Sequence, residues 1–425
     1  MNKITYFIIV IGLVFTGCSL KNETLIPSVS KNKKIFEAED TLILFALRAQ
    51  EIGEFRTSAD LFEDLYEKSG RLEYIYRSLQ QRLYMKENTK VITLIDSIVK
   101  PKSQDFTLVR LKIVALIQEG SFDKAFVLAR YLSENTQTNK DYILLGDILC
   151  LQKKYKKAAR YLREKYEITY DEKILDKLAL ILYGNLHQKD KALTLLNEYV
   201  KEHTCSEAIC NRLVSIYKNE QDVDGLLATY LKLYTLTKDE KIVDRIIQLY
   251  GYKNEYHKLI VFLENTFADD VTLLELYIKS KNYKKASPLA QKLYDKTGDV
   301  KYFGESVIYE YESTKDKNDS LFLDKIALKF EKLLQRDTRG LFLNYYGYIL
   351  IDHELDIDKG IRYIKKALES EPTSFYYLDS LAWGYYKKGE CKKSLIAMEE
   401  VLKVESKDAE VLKHLKIIKN CKGKK

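Results

Sequence analysis

Residues 377–401 read YLDSLAWGYYKKGECKKSLIAMEEV. Leu381, Tyr385, Met398 and Val401 fall at three- and four-residue steps on either side of Gly389, which is the period of two helices joined by a turn. Ala382 sits in the middle of the first helix and Ser394 twelve residues later in the second. Small residues placed this way let two helices cross closely, while the large apolar residues one turn away fill the space beside the crossing.

The same pattern returns upstream. Tyr346, Gly347, Leu350, Gly360, Ile364 and Ala367 form a copy with one extra residue in the turn. Leu145, Gly146, Leu149, Ala158 and Leu162 form another, and Leu178, Ala179, Leu182, Ala192 and Leu196 a third. Repeat starts fall near residues 39, 72, 106, 139, 172, 207, 240, 267, 301, 340 and 375. The interval is 33 to 35 over the first six steps, shortens to 27 after residue 240, and lengthens to 39 after residue 301, where 313–320 is a polar run without periodicity. The region 267–339 is therefore expected to be irregular. At 207 and 240 the small position is taken by Leu226 and Leu259. One helix pair cannot bury its own apolar stripe, so each must stack on the next.

Over most of residues 39–408 this resembles the tetratricopeptide repeat family. The resemblance implies an all-α fold, a right-handed superhelical solenoid of about eleven antiparallel helix pairs. It also implies a concave face, lined by first helices, that binds peptides or proteins. The segment 409–425, with Val411, Leu412, Leu415 and Ile418 on one stripe, reads as a capping helix followed by a basic tail. The tail reads as solvated, with contact to phosphate or an acidic surface as its alternative.

The first eighteen residues bear on compartment. Lys3 precedes an apolar stretch, Ile4–Phe15, that is too short to span a bilayer comfortably. Phe15-Thr16-Gly17-Cys18 follows and resembles the lipobox of bacterial lipoproteins, departing from it at Phe15, where an aliphatic residue is usual. The resemblance implies a signal peptide at 1–17, lipidation of Cys18 (palmitate among the acyl groups) and a flexible tether over 18–38. Ser19 after the cysteine then implies the outer membrane of a Gram-negative host, with the chain facing the periplasm. The last two repeats also look like those of envelope lipoproteins.

Composition excludes more than it assigns. The hydrophobic share of 46% is ample for a core, and four prolines leave long stretches free to be helical. A net charge of +8 is small for 425 residues, and alternating Lys and Glu read as solvated helix faces, so no nucleic acid is expected. No catalytic or metal-ligand motif is present, and no cofactor or small-molecule substrate is expected. His203 and Cys205 are a close pair without an orienting acid. Tyr217, Tyr250, Tyr277 and Tyr385 recur at one repeat position, which says packing. Tyr142, Tyr345 and Tyr376 lie elsewhere on first helices and are candidates to face a protein partner. Trp383 is a candidate either for that role or for packing beneath the capping helix. Cys391 and Cys421 are candidates for a disulfide that pins the cap, and Cys205 and Cys210 lie five apart.

The leading reading is a lipid-anchored scaffold for protein partners in the cell envelope, supporting a secretion, pilus or flagellar motor complex. The alternatives are a glycan- or peptidoglycan-binding envelope protein, and a regulatory subunit or enzyme with an unrecognised site.

Overall fold

A computed structural model describes residues 35–98, 105–405 and 407–421. The expected signal peptide, Cys18 and the tether up to residue 34 lie outside the described residues, as does the end of the basic tail. Among the described residues the chain is an all-α solenoid of paired antiparallel helices, without strands. The described residues divide into two compact units, one up to residue 220 and one from residue 221 onward.

The first unit contains the pairs α1 (Glu39–Glu51) and α2 (Phe55–Ser69), α3 (Leu72–Tyr84) and α4 (Asn88–Ile98), α5 (Phe106–Gln118) and α6 (Phe122–Thr136). They are followed by α7 (Asn139–Leu151) and α8 (Tyr155–Thr169), α9 (Glu172–Leu180) and α10 (Lys189–Glu202), and then α11 (Glu207–Asn219). Helix α9 runs on into a π turn, Ile181–Asn185. The second unit opens with α12 (Val223–Thr237) and continues with α13 (Glu240–Tyr252), α14 (Tyr256–Thr266), α15 (Asp270–Lys279), α16 (Tyr283–Thr297), α17 (Val300–Ser313) and α18 (Ser320–Leu334). It ends with α19 (Gly340–Asp352), α20 (Ile357–Ser370), α21 (Phe375–Lys388), α22 (Cys391–Val404) and the lone α23 (Ala409–Lys419). Odd-numbered helices up to α21 are first helices, and even-numbered ones are second helices.

Local signals set the boundaries. Asp105, Thr138, Asp171, Ser206, Asp239, Asp269 and Asp299 each cap a first helix through a side-chain oxygen. Inside the pairs the turn repeats one device. The N–H groups of Glu54, Glu87, Ser121, Lys154, Glu255, Asn282 and Leu355 bond back to the carbonyl five residues earlier. A left-handed residue just before each of them closes the helix end. At two turns that residue is glycine, Gly53 and Gly120; at Lys153 and Asn254 a side chain bears the strain.

The helices cross where the sequence places small residues. Ser58 donates to the Ala46 carbonyl at 2.6 Å, and Ser394 to the Ala382 carbonyl at 2.7 Å. Gly347 and Gly360 face each other so closely that a Cβ on Gly360 would lie 2.6 Å from the Gly347 oxygen. Each core then spans three helices. Ile113 and Leu116 of α5 and Ala125, Ala129 and Leu132 of α6 enclose Leu145 and Ile148 of α7. Val307 and Tyr311 of α17 and Ile326 and Phe330 of α18 enclose Phe342 and Tyr346 of α19. The first helix of each repeat thus completes the core of the pair before it.

The irregular stretch is resolved in detail. The start expected at 267 moves to Asp270: Phe267 is the left-handed end of α14, and Asp269 caps α15. Helices α14 and α15 are short, with 11 and 10 residues. The small position of α14 holds Leu259, which is buried, whereas Leu226 on α12 is only half-buried. The polar run becomes the connection 314–319 between α17 and α18.

The crossing geometry makes a paired prediction. Gly360→Ala gains about 1 kcal/mol of helix propensity, but its methyl meets backbone that cannot rotate away. Overpacking of this kind costs about 1–3 kcal/mol, so the denaturant midpoint should fall. Gly251→Ala, on α13 with open space around it, should leave the midpoint unchanged or raise it slightly.

Candidate interaction surface on the first helices

In the first unit, consecutive first helices are tied by ion pairs. Arg110 on α5 forks onto Asp141 on α7 at 2.9 and 2.7 Å. Asp147 on α7 pairs with Lys177 on α9, and Asp176 on α9 accepts from Arg212 on α11 at 2.7 Å. Burial pushes the Asp141 carboxyl up, but hydrogen bonds from Arg110, Thr136 and Thr138 outweigh it and hold the group below its ordinary value. At Asp147 burial wins over Lys177, and the carboxyl is raised. Cys150 is a free thiol pushed up to about 11 by burial, which keeps it inert. Opposite charges consume each other along this face.

The last repeats of the second unit are built differently. Carboxylates there meet aromatic and imidazole groups. The Tyr345 hydroxyl on α19 donates to Glu312 on α17. The Trp383 indole N–H on α21 donates to Asp352 on α19 at 2.9 Å. His414 Nδ1 on α23 lies 2.8 Å from Asp379 on α21. The Trp383 ring stacks on His414 with centroids 4.4 Å apart, and Tyr348 on α19 lies 6.5 Å from the same imidazole. Burial, then Asp352 and Glu410, push the Tyr348 phenol well above its ordinary value. Two lysines are already engaged. Lys317 lies 4.4 Å from the Tyr311 ring centroid and 3.0 Å from Glu312. Lys387 lies 5.6 Å from the Trp383 centroid and 3.0 Å from Glu354.

The four aromatic residues singled out in the sequence end in different places. Tyr142 is buried against Tyr161, with Lys165 over its ring, and Trp383 is 8% exposed beneath the cap. Tyr142 therefore presents little ring area to a partner, and Trp383 takes the second of the two roles read for it, packing beneath the capping helix. Tyr345 is half-buried with its hydroxyl engaged. Tyr376 is 63% exposed. Of the recurrent tyrosines, Tyr250 and Tyr277 are buried, and Tyr217 and Tyr385 are half-buried.

Disulfides join Cys391 to Cys421 and Cys205 to Cys210, each with Cα atoms 5.7 Å apart. The first ties the start of α22 to the end of the cap. The second takes Cys205 out of any pairing with His203, whose ring lies against Tyr199. Leu412, assigned to the cap's apolar stripe, is 45% exposed; His414 turns inward with Val411 and Ile418 instead. A period of 35 could have exposed this site in the sequence. Asn344, Tyr348 and Asp352 on α19 correspond to Asp379, Trp383 and Lys387 on α21, at four-residue steps along one face. His414 carried no such signal. No group of three or more His, Cys, Asp or Glu side chains that could hold a metal occurs among the described residues.

No family model matches the chain. A TPR repeat-containing protein of Methanocaldococcus jannaschii is similar, 21% identical over an alignment 386 residues long that covers 80% of this chain and 65% of that protein. The chain thus spans less than two thirds of that relative's length. Among solved structures, the APC/C hetero-tetramer Cut9-Hcn1 is matched over 90% of this chain and 96% of that chain, at 11% identity and a TM-score of 0.43. Naa15/Naa10 bound to HypK-THB is matched over 88% and 65%, at 11% identity and a TM-score of 0.30. The register of the helix pairs defines the class: among the described residues this is an all-α helical-repeat solenoid, similar to the repeat-containing relative.

Two predictions follow from the geometry of the second unit. The Tyr311 hydroxyl lies 2.9 Å from His353 Nε2, and burial lowers the His353 pKa against the opposing pull of Asp352. A lowered folded pKa means that stability is complete above the ordinary value of 6.5 and is lost as pH falls through the folded value. Denaturant midpoints at about pH 7.5 and about pH 5 should differ more for the native chain than for His353→Gln. Separately, Cys421→Ser opens a loop with a sequence separation of 30. It should cost about 3–4 kcal/mol of unfolding free energy and abolish the reduction-dependent shift in gel mobility from this bridge.

Proposed function

We propose that the chain is a non-catalytic scaffold or adaptor that binds proteins along its first helices and is held in the bacterial cell envelope by acylated Cys18. The observation that carries the binding reading is the first-helix face of the last repeats. It joins exposed Tyr376 to a series of aromatic and carboxylate groups at repeat spacing. Aromatic anchors with few rotatable bonds, set among hydrogen-bonding groups, are what protein interfaces select. The similar relative is itself described as repeat-containing.

The anchor reading rests on the lipobox-like Phe15-Thr16-Gly17-Cys18. Two disulfides support it, because such bonds persist in oxidising compartments. Among the described residues no helix is long and apolar enough to cross a membrane. Several acyl chains on one terminus hold a protein almost permanently and confine its search for partners to a surface. The reading extends to an outer-membrane location facing the periplasm, and to support of an envelope machine.

The test places a photo-crosslinking residue at Tyr376, or at Leu328 on the second helix α18, in intact cells. Leu328 is 68% exposed and serves as the matched control. Protein adducts should form at Tyr376 and be absent or much weaker at Leu328. Equal labelling of both sites would count against the first-helix reading. Cys18→Ser should move the chain from the membrane to the soluble fraction; unchanged membrane association would remove the anchor.

A further inference from the structure

On the scaffold reading just given, we propose that the first-helix face of the last two repeats, closed by the cap, receives a basic side chain from an extended segment of the partner protein. Asn344 and Asp379 are 9% and 7% exposed, and in each the Oδ1 atom has no hydrogen-bond donor among the described residues. They occupy the same repeat position, 35 residues apart on adjacent first helices. A buried acceptor without a donor is costly to keep. Two of them in register mark a place built to be served by a donor from outside.

The surroundings specify the donor's charge. Asp379 spends its other oxygen on His414 Nδ1. Tyr348 adds a ring face one helical turn from Asn344, and its phenol is raised first by burial and then by Asp352, Glu410, Tyr311 and Asp379. Two lysines of this chain already show how the same face holds a cation. Lys317 sits over Tyr311 beside Glu312, and Lys387 over Trp383 beside Glu354. Both are paired, so neither neutralises Asp379. An ammonium or guanidinium supplies what two orphan acceptors, an aromatic ring and surplus carboxylate charge call for. An acidic segment would meet repulsion from Asp352, Asp379 and Glu410.

Trp383 is the single tryptophan of the chain, so its emission reports on this place alone. The full chain is titrated with an unstructured peptide carrying three arginines, with the matched glutamate peptide, and with spermidine. The arginine peptide should change Trp383 emission saturably and the glutamate peptide should not. Asp379→Asn and Glu410→Gln should each weaken binding, Asp379→Asn by about tenfold or more. Asn344→Asp, which adds charge at the second acceptor, should tighten it, a gain that a misfolded variant cannot imitate. Binding that leaves Trp383 emission unchanged, or that all three substitutions leave unaltered, overturns the proposal. Displacement of the peptide by spermidine at equal concentration assigns the place to a free polyamine and overturns the peptide reading. If no basic peptide binds while crosslinking at Tyr376 persists, this inference fails and the scaffold reading stands. If both are lost, the scaffold reading fails with it.

Discussion

The structure depends on how closely the two helices of a pair approach each other. At Gly347 and Gly360 the backbones touch, and at Ser394 and Ser58 a hydroxyl bridges to the opposing carbonyl. That contact fixes the crossing, and the crossing fixes which residues point toward the next repeat. Loss of the small residue does not act alone, since α12 keeps 15 residues with Leu226 at that position. The short α14 carries Leu259 at the small position, and its neighbour α15 is the shortest first helix apart from α9 with its π turn. Packing density leaves little latitude: one methyl in a closed crossing shifts whole helices, and the shift is passed to the neighbouring pair.

From this follows a division of labour. The second helices and the inner sides of the first helices are committed to three-helix cores. What remains of each first helix forms a face whose residues recur at the repeat interval. Evolution can change that face without disturbing the core, and the two units show two outcomes. In the first, carboxylates meet Arg and Lys on the next first helix and neutralise them. In the second, carboxylates meet Tyr, Trp and His. The Tyr345 and Trp383 donors satisfy hydrogen bonds of Glu312 and Asp352 without removing their charge, which Lys317 offsets at Glu312.

The fold was legible because it is periodic. Gly146, Ala179, Gly347 and Ala382 could be placed on crossings from spacing alone, and the residues opposite them are buried. The start at 267 was three residues early because the apolar Phe267 imitates a repeat position, whereas Asp269 makes the cap. The site was less legible. Tyr142 and Trp383 are large aromatics on first helices, and one-dimensional spacing does not separate a ring that seals a joint from one that faces outward. Their neighbours decide it: Tyr161 and Lys165 enclose Tyr142, and His414 covers Trp383. His414 lies outside the repeat, so periodicity could not bring it to Asp379.

The cap therefore has two consequences. A solenoid's last pair exposes an apolar surface, and α23 covers it with Val411 and Ile418. An apolar residue at 414 would serve that purpose as well. A histidine there instead binds one oxygen of Asp379 and lays its ring on Trp383. This orients the carboxylate and leaves its second oxygen without a donor. The disulfide at Cys421 then holds the end of the helix that carries His414. Closing the solenoid and shaping the Asp379 acceptor are thus one structural act. Loosening α23 would disturb the polar face as directly as it uncovers the core.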